Sequence, residues 1–154
     1  MHQRAPIGLM DYLRNNEIEK NDSILFLTPC HSTPYYSYLH KNIKINFLTC
    51  EPNLGNKKNY QDEADIFFSN PIEWVNQNEI RKFQEATYIV LFEGLYFELL
   101  NCRDQKIMEI FSKNFYICKD FFYSLTKQTK NTDKTLLLLC SKNKEQNLQA
   151  KNEL

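Results

Sequence analysis

Apolar residues fall into short blocks along the chain, and the spacing within each block assigns an element. Pro6 suits a first helical position, and Ile7, Met10 and Leu13 follow at helical spacing, so residues 6–14 read as a short helix. Ser23–Thr28 (SILFLT) is a near-continuous apolar run of strand length, the pattern of a strand buried on both faces, and Pro29 stops it. Ile43, Ile45 and Phe47 alternate with Lys44 and Asn46, which predicts a second strand over Ile43–Thr49. The connection between these strands is about 14 residues, long enough for a parallel crossover with one helical turn at Tyr35–His40.

The segment Glu51–Gln61 is polar and turn-rich and reads as a loop. Asp62 can cap a helix through Phe68, with Glu63 and Asp65 in the first turn, where the helix dipole favours them. Asn70-Pro71 ends it; a second helix is predicted from Pro71 or Ile72 to Gln77 and a third from Asn78 to Gln84. Thr87–Phe92 (TYIVLF) predicts a third buried strand, and Leu95–Ser112 one long helix that Asn101–Asp104 can bend. Phe115–Leu125 and Thr135–Ser141 read as strands joined by the polar residues 126–134.

The order α-β-β-α-α-β-α-β-β predicts an α/β fold. The expected form is a three-layer sandwich with a mixed, mostly parallel central sheet and a C-terminal antiparallel hairpin. Residues 1–142 form one domain in this reading, and 143–154 a frayed tail.

Composition narrows the function classes without choosing one. The 19 basic residues balance 19 acidic ones, which argues against nonspecific nucleic-acid binding. The only glycines are Gly8, Gly55 and Gly94, so neither a dinucleotide fingerprint nor a phosphate loop can be drawn, and no cofactor is implied. The longest apolar runs, Tyr88–Phe92 and Leu136–Cys140, are far below the roughly 20 residues of a spanning helix, and the opening residues lack the apolar stretch of a secretory signal.

Five cysteines, none in a CxxC pair, argue against a zinc site, and the plain reading is buried, reduced thiols. Cys30 and Cys50 each follow a predicted strand, which would set them side by side. Cys30 opens the densest polar cluster, with His31, Ser32, Thr33, Tyr35 and Tyr36 following. Ligands bind beyond the carboxyl ends of strands in open α/β sheets, so this loop reads either as a ligand cradle or as a turned loop that satisfies its own backbone. A cysteine hydrolase using Cys30 is the sharper enzymatic reading, although adjacent residues on extended backbone point apart, so His31 cannot serve Cys30, and His40 or Asp62 would have to. Asp62, Glu63 and Asp65 form a second cluster, suited to acid–base work or to an ordinary solvated helix start. Trp74 reads as a packing residue. No metal site is expected, since His31, His40 and Cys50 share no ligand spacing.

In this order, Ser23–Tyr36 (SILFLTPCHSTPYY), Phe47–Pro52 (FLTCEP) and Asp62–Trp74 (DEADIFFSNPIEW) resemble the carboxy-terminal part of the GPI mannosyltransferase III group of glycosyltransferase family 22, also called phosphatidylinositol glycan class B. His2-Gln3-Arg4, with Met10 and Leu13, extends the likeness, which covers roughly residues 2–80. The resemblance implies multi-spanning endoplasmic reticulum enzymes that transfer mannose from dolichyl-phosphate-mannose to a GPI glycan intermediate through an α-1,2 bond. Their catalytic carboxylate lies in a lumenal loop between membrane helices, which this chain does not contain.

The chain would then be a noncatalytic lumenal domain, with the membrane-embedded catalytic part of the same enzyme as its partner and no catalytic residue of its own. A lumenal setting makes Cys30–Cys50 a candidate disulfide and Asn21, in the only sequon, a candidate glycosylation site. The terminal Lys151-Asn152-Glu153-Leu154 imitates a retrieval signal, read here as chance. His31, Ser32, Thr33, Tyr35 and Tyr36 are the candidate substrate contacts, with Asp62, Glu63 and Asp65 second, and the two clusters are expected to meet on one rim of the sheet. A pure interaction module is the remaining alternative, and it would expose an apolar patch.

Overall fold

A computed structural model describes residues 4–16, 18–30, 32–78, 83, 85–125 and 131–144. Its elements run α1 (Ala5–Asn15), β1 (Ser23–Leu27), α2 (Tyr35–Leu39), β2 (Lys44–Phe47), α3 (Glu63–Ser69), α4 (Pro71–Asn78) and β3 (Tyr88–Phe92). They continue with α5 (Glu93–Leu100), α6 (Gln105–Asn114), β4 (Phe115–Phe122) and β5 (Thr135–Ser141). The helix expected over Asn78–Gln84 lies mostly outside the described residues.

One five-stranded sheet has the order β2-β1-β3-β5-β4. β1 pairs in parallel with both β2 (Ile24↔Ile45) and β3 (Ile24↔Tyr88). β5 runs antiparallel to β3 (Phe92↔Leu136) and to β4 (Phe122↔Thr135). The mostly parallel centre and antiparallel end are those expected of the α/β pattern. One rim therefore gathers the carboxyl ends of β1, β2 and β3 together with the start of β5 and the end of β4.

The continuous apolar runs of β1, β3 and β5 are explained by burial on both faces. Leu25, Leu27, Ile89, Leu91, Leu137 and Leu139 pack with Ala64, Phe67, Trp74, Val75, Leu99, Ile107 and Phe111 of α3–α6. The alternate residues Ile24, Phe26, Tyr88, Val90, Phe92, Leu136 and Leu138 pack with Leu9, Met10 and Leu13 of α1 and Leu39 of α2. The period of two along each strand thus divides the core between two helical layers.

Two expectations are corrected. The single helix over Leu95–Ser112 is two: α5 closes at Asn101, and Asp104 restarts the chain by accepting hydrogen bonds from the Lys106 and Ile107 amides (3.0 and 3.2 Å). An N-cap aspartate nucleates a new helix more readily than it bends an old one. The cysteines are not all reduced: Cys30 is bonded to Cys50 and Cys118 to Cys140, with Cα separations of 6.1 and 5.7 Å, leaving Cys102 free. After β5, Lys144 pairs with Asp22 and donates to the Tyr88 hydroxyl (2.7 Å). Residues 145–154, with the Lys151–Leu154 sequence, lie outside the described residues.

Candidate functional site

The carboxyl rim holds most of the sequence-predicted site residues. β1 and β2 lie side by side in parallel, so the segments leaving them emerge together, and the Cys30–Cys50 disulfide joins those segments. Cys30 is therefore no free nucleophile, which removes the cysteine hydrolase reading: a bonded sulfur has no thiolate to offer. His40 caps the end of α2 in the left-handed region (φ 51°). Among the described residues no group of three or more His, Cys, Asp or Glu side chains could hold a metal ion.

The first cluster is turned in upon itself. The Ser32 amide donates to the Pro29 carbonyl (3.2 Å) and the Ser32 hydroxyl to Thr28 Oγ1 (3.1 Å), while Thr33 is buried. Tyr35 stacks on Phe47 and meets the Phe26 ring edge-on, both at 4.8 Å. Its hydroxyl is shut off from solvent against Thr28 without a well-formed hydrogen bond; burial raises its pKa and the Thr28 contact works the other way. Tyr36 is half exposed and donates to the Ile43 carbonyl (3.0 Å). His31 lies outside the described residues.

The second cluster caps a helix and clasps a strand end. Asp62 Oδ1 accepts the Asp65 amide (2.7 Å), as an N-cap should. Glu63 Oε2 accepts both the amide and the hydroxyl of Thr49 (2.9 and 2.7 Å), and the Ala64 amide donates to the Thr49 carbonyl (3.2 Å). A cleft of about 430 Å³ opens beside this clasp, lined in part by Thr49, Glu51, Tyr60, Asp62, Glu63 and Trp74. Tyr60 donates to the Glu51 carbonyl (2.9 Å), and its pKa is raised by burial and then by the charges of Glu51, Asp62 and Asp65. Trp74 is almost wholly buried, edge-on to Phe67 at 5.1 Å, so packing is its main work.

The two clusters send side chains into opposite layers of the fold. Tyr35 packs into the α1–α2 layer, and Ala64 and Phe67 into the opposite one. The sheet stands between them because successive crossovers from β1 and β2 leave on opposite faces. What links the clusters is a hydrogen-bonded clasp followed by a disulfide: Glu63 accepts from Thr49, Thr49 precedes Cys50, and Cys50 is bonded to Cys30, two residues before Ser32. Sequence reasoning missed Glu51 and Tyr60, which flank the turn-rich loop and face the acidic helix start across it. Among the described residues the lining carries carboxylates, a phenol and no Lys or Arg. Such a set accepts hydrogen bonds from hydroxyls and disfavours phosphate. Asn21 is exposed in the turn before β1.

No family model matches the chain, and no solved structure matches it significantly. Among curated proteins it is 48% identical over 103 residues to the GPI mannosyltransferase 3 of Drosophila melanogaster, covering 62% of this chain and 18% of the relative. It is 37% identical over 123 residues to the GPI alpha-1,2-mannosyltransferase 3 of Danio rerio, 75% of this chain and 23% of the relative. With the Mannosyltransferase APTG1 of Arabidopsis thaliana it shares 34% identity over 138 residues, 89% of this chain and 24% of the relative. The chain thus spans about a fifth of the length of the curated relatives it matches. Together with the PCHSTPYY and DEADIFFSNP blocks, these matches show that the chain belongs to the GPI mannosyltransferase 3 family.

Proposed function

We propose that the chain is a noncatalytic lumenal domain of a GPI-anchor α-1,2-mannosyltransferase, working with a membrane-embedded catalytic part. In that enzyme an acceptor hydroxyl of the GPI glycan intermediate attacks the anomeric carbon of dolichyl-phosphate-mannose, the bond from that carbon to the phosphate oxygen breaks to release dolichyl phosphate, and the hydroxyl proton passes to a carboxylate base outside this chain. The domain shapes the acceptor side: Ser32, Thr33, Tyr35 and Tyr36 stiffen the rim, and Asp62, Glu63 and Asp65 offer acceptors to glycan hydroxyls. The endoplasmic reticulum lumen is the compartment this reading requires, and Asn21 is glycosylated there.

The observation that carries the reading is the Cys30–Cys50 bond, which ties two of the blocks on which the resemblance to the family rests. Disulfides persist in oxidising compartments and are rare in reducing ones, and a second bond at Cys118–Cys140 adds to this. The test is complementation of cells lacking the enzyme, using the full-length protein. Cys30→Ser with Cys50→Ser is expected to reduce surface GPI-anchored proteins, while the chain alone transfers no mannose from dolichyl-phosphate-mannose. Turnover by the purified chain, or full complementation by the double variant, overturns the reading.

A further inference from the structure

The carboxyl rim carries a second cleft, about 320 Å³, whose lining includes none of Ser32, Thr33, Tyr35 and Tyr36. It lies where three distant segments converge: the α3–α4 junction (Phe68, Ser69), the β3–α5 junction (Gly94, Glu98) and the residues before β5 (Thr132, Asp133). Its volume is at the lower end of small-molecule pockets, which run from about 300 to 1,000 Å³.

Its shape depends on one glycine. A β-carbon at Gly94 would stand 2.5 Å from Asp133 Oδ2, so only glycine lets the carboxylate lie against the first turn of α5. Asp133 Oδ1 accepts the Lys134 amide (2.8 Å). Oδ2 has no hydrogen-bond partner among the described residues, and Glu98 has neither a hydrogen bond nor an ion pair there. Two carboxylates with open lone pairs therefore face a cleft with apolar walls at Phe68, Phe92 and Leu95.

That combination selects a ligand. Among the described residues no Lys or Arg lines the cleft, which disfavours phosphate. A calcium ion takes six to eight oxygens at short range, and broad aromatic and aliphatic walls serve it poorly. A neutral ring with apolar C–H faces and vicinal hydroxyls matches both halves of the lining: the hydroxyls donate to carboxylates and the ring covers the phenyl face.

We propose that this cleft binds a single hexopyranose ring, its face against Phe68 and its hydroxyls donating to Asp133 and Glu98. The requirement for a neutral polyhydroxylated ring comes from the lining. The choice of a hexose rests on the glycan-processing role proposed above.

The test is a titration of the isotope-labelled 154-residue chain with methyl α-mannoside, myo-inositol, inorganic phosphate and calcium, read as amide shifts. Methyl α-mannoside is expected to shift Ser69, Gly94, Leu95, Thr132 and Asp133, with a Kd on the order of 1 mM, as suits one small ring. Asp133→Asn and Glu98→Gln keep side-chain size and should each weaken binding by about tenfold, whereas Glu109→Gln, outside the cleft, should not. Gly94→Ala is expected to displace Asp133 and match Asp133→Asn while the remaining spectrum stays native.

No shift at saturating mannoside overturns the proposal, as do shifts confined to Thr49–Ile66, or a stronger response to phosphate, calcium or myo-inositol. Such a failure leaves the complementation result untouched, since that experiment reads the full-length enzyme. Conversely, mannoside binding here survives even if the Cys30–Cys50 variant complements fully.

Discussion

Lys144 and Asp22 form an ion pair whose side chains are only 12% and 10% exposed, 122 residues apart in sequence. The Lys144 ammonium also donates to the Tyr88 hydroxyl (2.7 Å) and lies 4.7 Å from the centre of that ring. Asp22 in turn accepts the Glu19 amide (2.7 Å), so the pair ties the segment after β5 to the turn before β1. Removing one member of a buried pair leaves the other charge uncompensated. Lys144→Met is expected to destabilise the chain by about 2 kcal/mol, below the 3–5 of a fully buried pair. Denaturant unfolding checks this; Lys142→Met, whose ammonium reaches the exposed Ser112 carbonyl, should change little.

The same group makes stability fall at alkaline pH. Burial pulls the Lys144 pKa down, but hydrogen bonds to Asp22 and Tyr88 outweigh it and leave the value above the ordinary 10.5. Burial likewise raises the Tyr88 phenol above 10.0, partly offset by Lys144. The native state thus holds both protons more tightly than the unfolded chain. The stability is fully present below about pH 10 and lost as the pH rises through the folded values. Denaturation midpoints followed from neutral pH to above 10.5 should fall, and more shallowly in Lys144→Met.

The cysteine pairing gives a direct count. Five cysteines less four in two bonds leave one thiol, so alkylation of the unfolded, unreduced chain should label one residue, Cys102, and five after reduction. The bonds close loops with sequence separations of 20 and 22, for which loss of each bond costs about 3 kcal/mol on the chain-entropy account. Cys118→Ser with Cys140→Ser should lower the melting temperature by roughly 6–12 °C, at 2–4 °C per kcal/mol for a chain of this length.

Much of the architecture was legible because strands buried on both faces announce themselves. SILFLT, TYIVLF and TLLLLCS each became a strand near the expected limits, and short connections left few topologies. The Cys30–Cys50 bond was within reach once both residues stood at the ends of parallel neighbours. The Cys118–Cys140 bond was not. It depends on the antiparallel register of β4 with β5, and on the irregularity between Ile117 and Lys119 that shifts it, neither of which local periodicity encodes. The layers that the two polar clusters enter were hidden for a related reason. Which face a crossover takes is decided by core packing, and Tyr35 and Phe67 found opposite layers. The cleft at Gly94 draws on residues 68–71, 92–98 and 131–133, and its single local sign was a glycine at the start of an apolar helix.

Glu63 allows its structural role to be separated from a contact with substrate. Its Oε2 accepts both Thr49 donors, while Oε1 has no partner among the described residues, and Glu63 lines the cleft beside the clasp. Glu63→Gln can keep the clasp, since an amide oxygen still accepts from the Thr49 amide, but it removes the negative charge. Glu63→Ala removes both. If the side chain only holds Thr49, amide exchange at Thr49 should quicken in the alanine variant alone, and full-length complementation should fail only there. If the carboxylate also accepts a glycan hydroxyl, complementation should weaken in the glutamine variant while its Thr49 exchange stays native, because a hydrogen bond to a charged group contributes about 1.5–3 kcal/mol against about 1 for a neutral one. The proposed role of Glu63 at the acceptor side requires the second outcome: a glutamine variant that complements fully would confine this residue to the clasp.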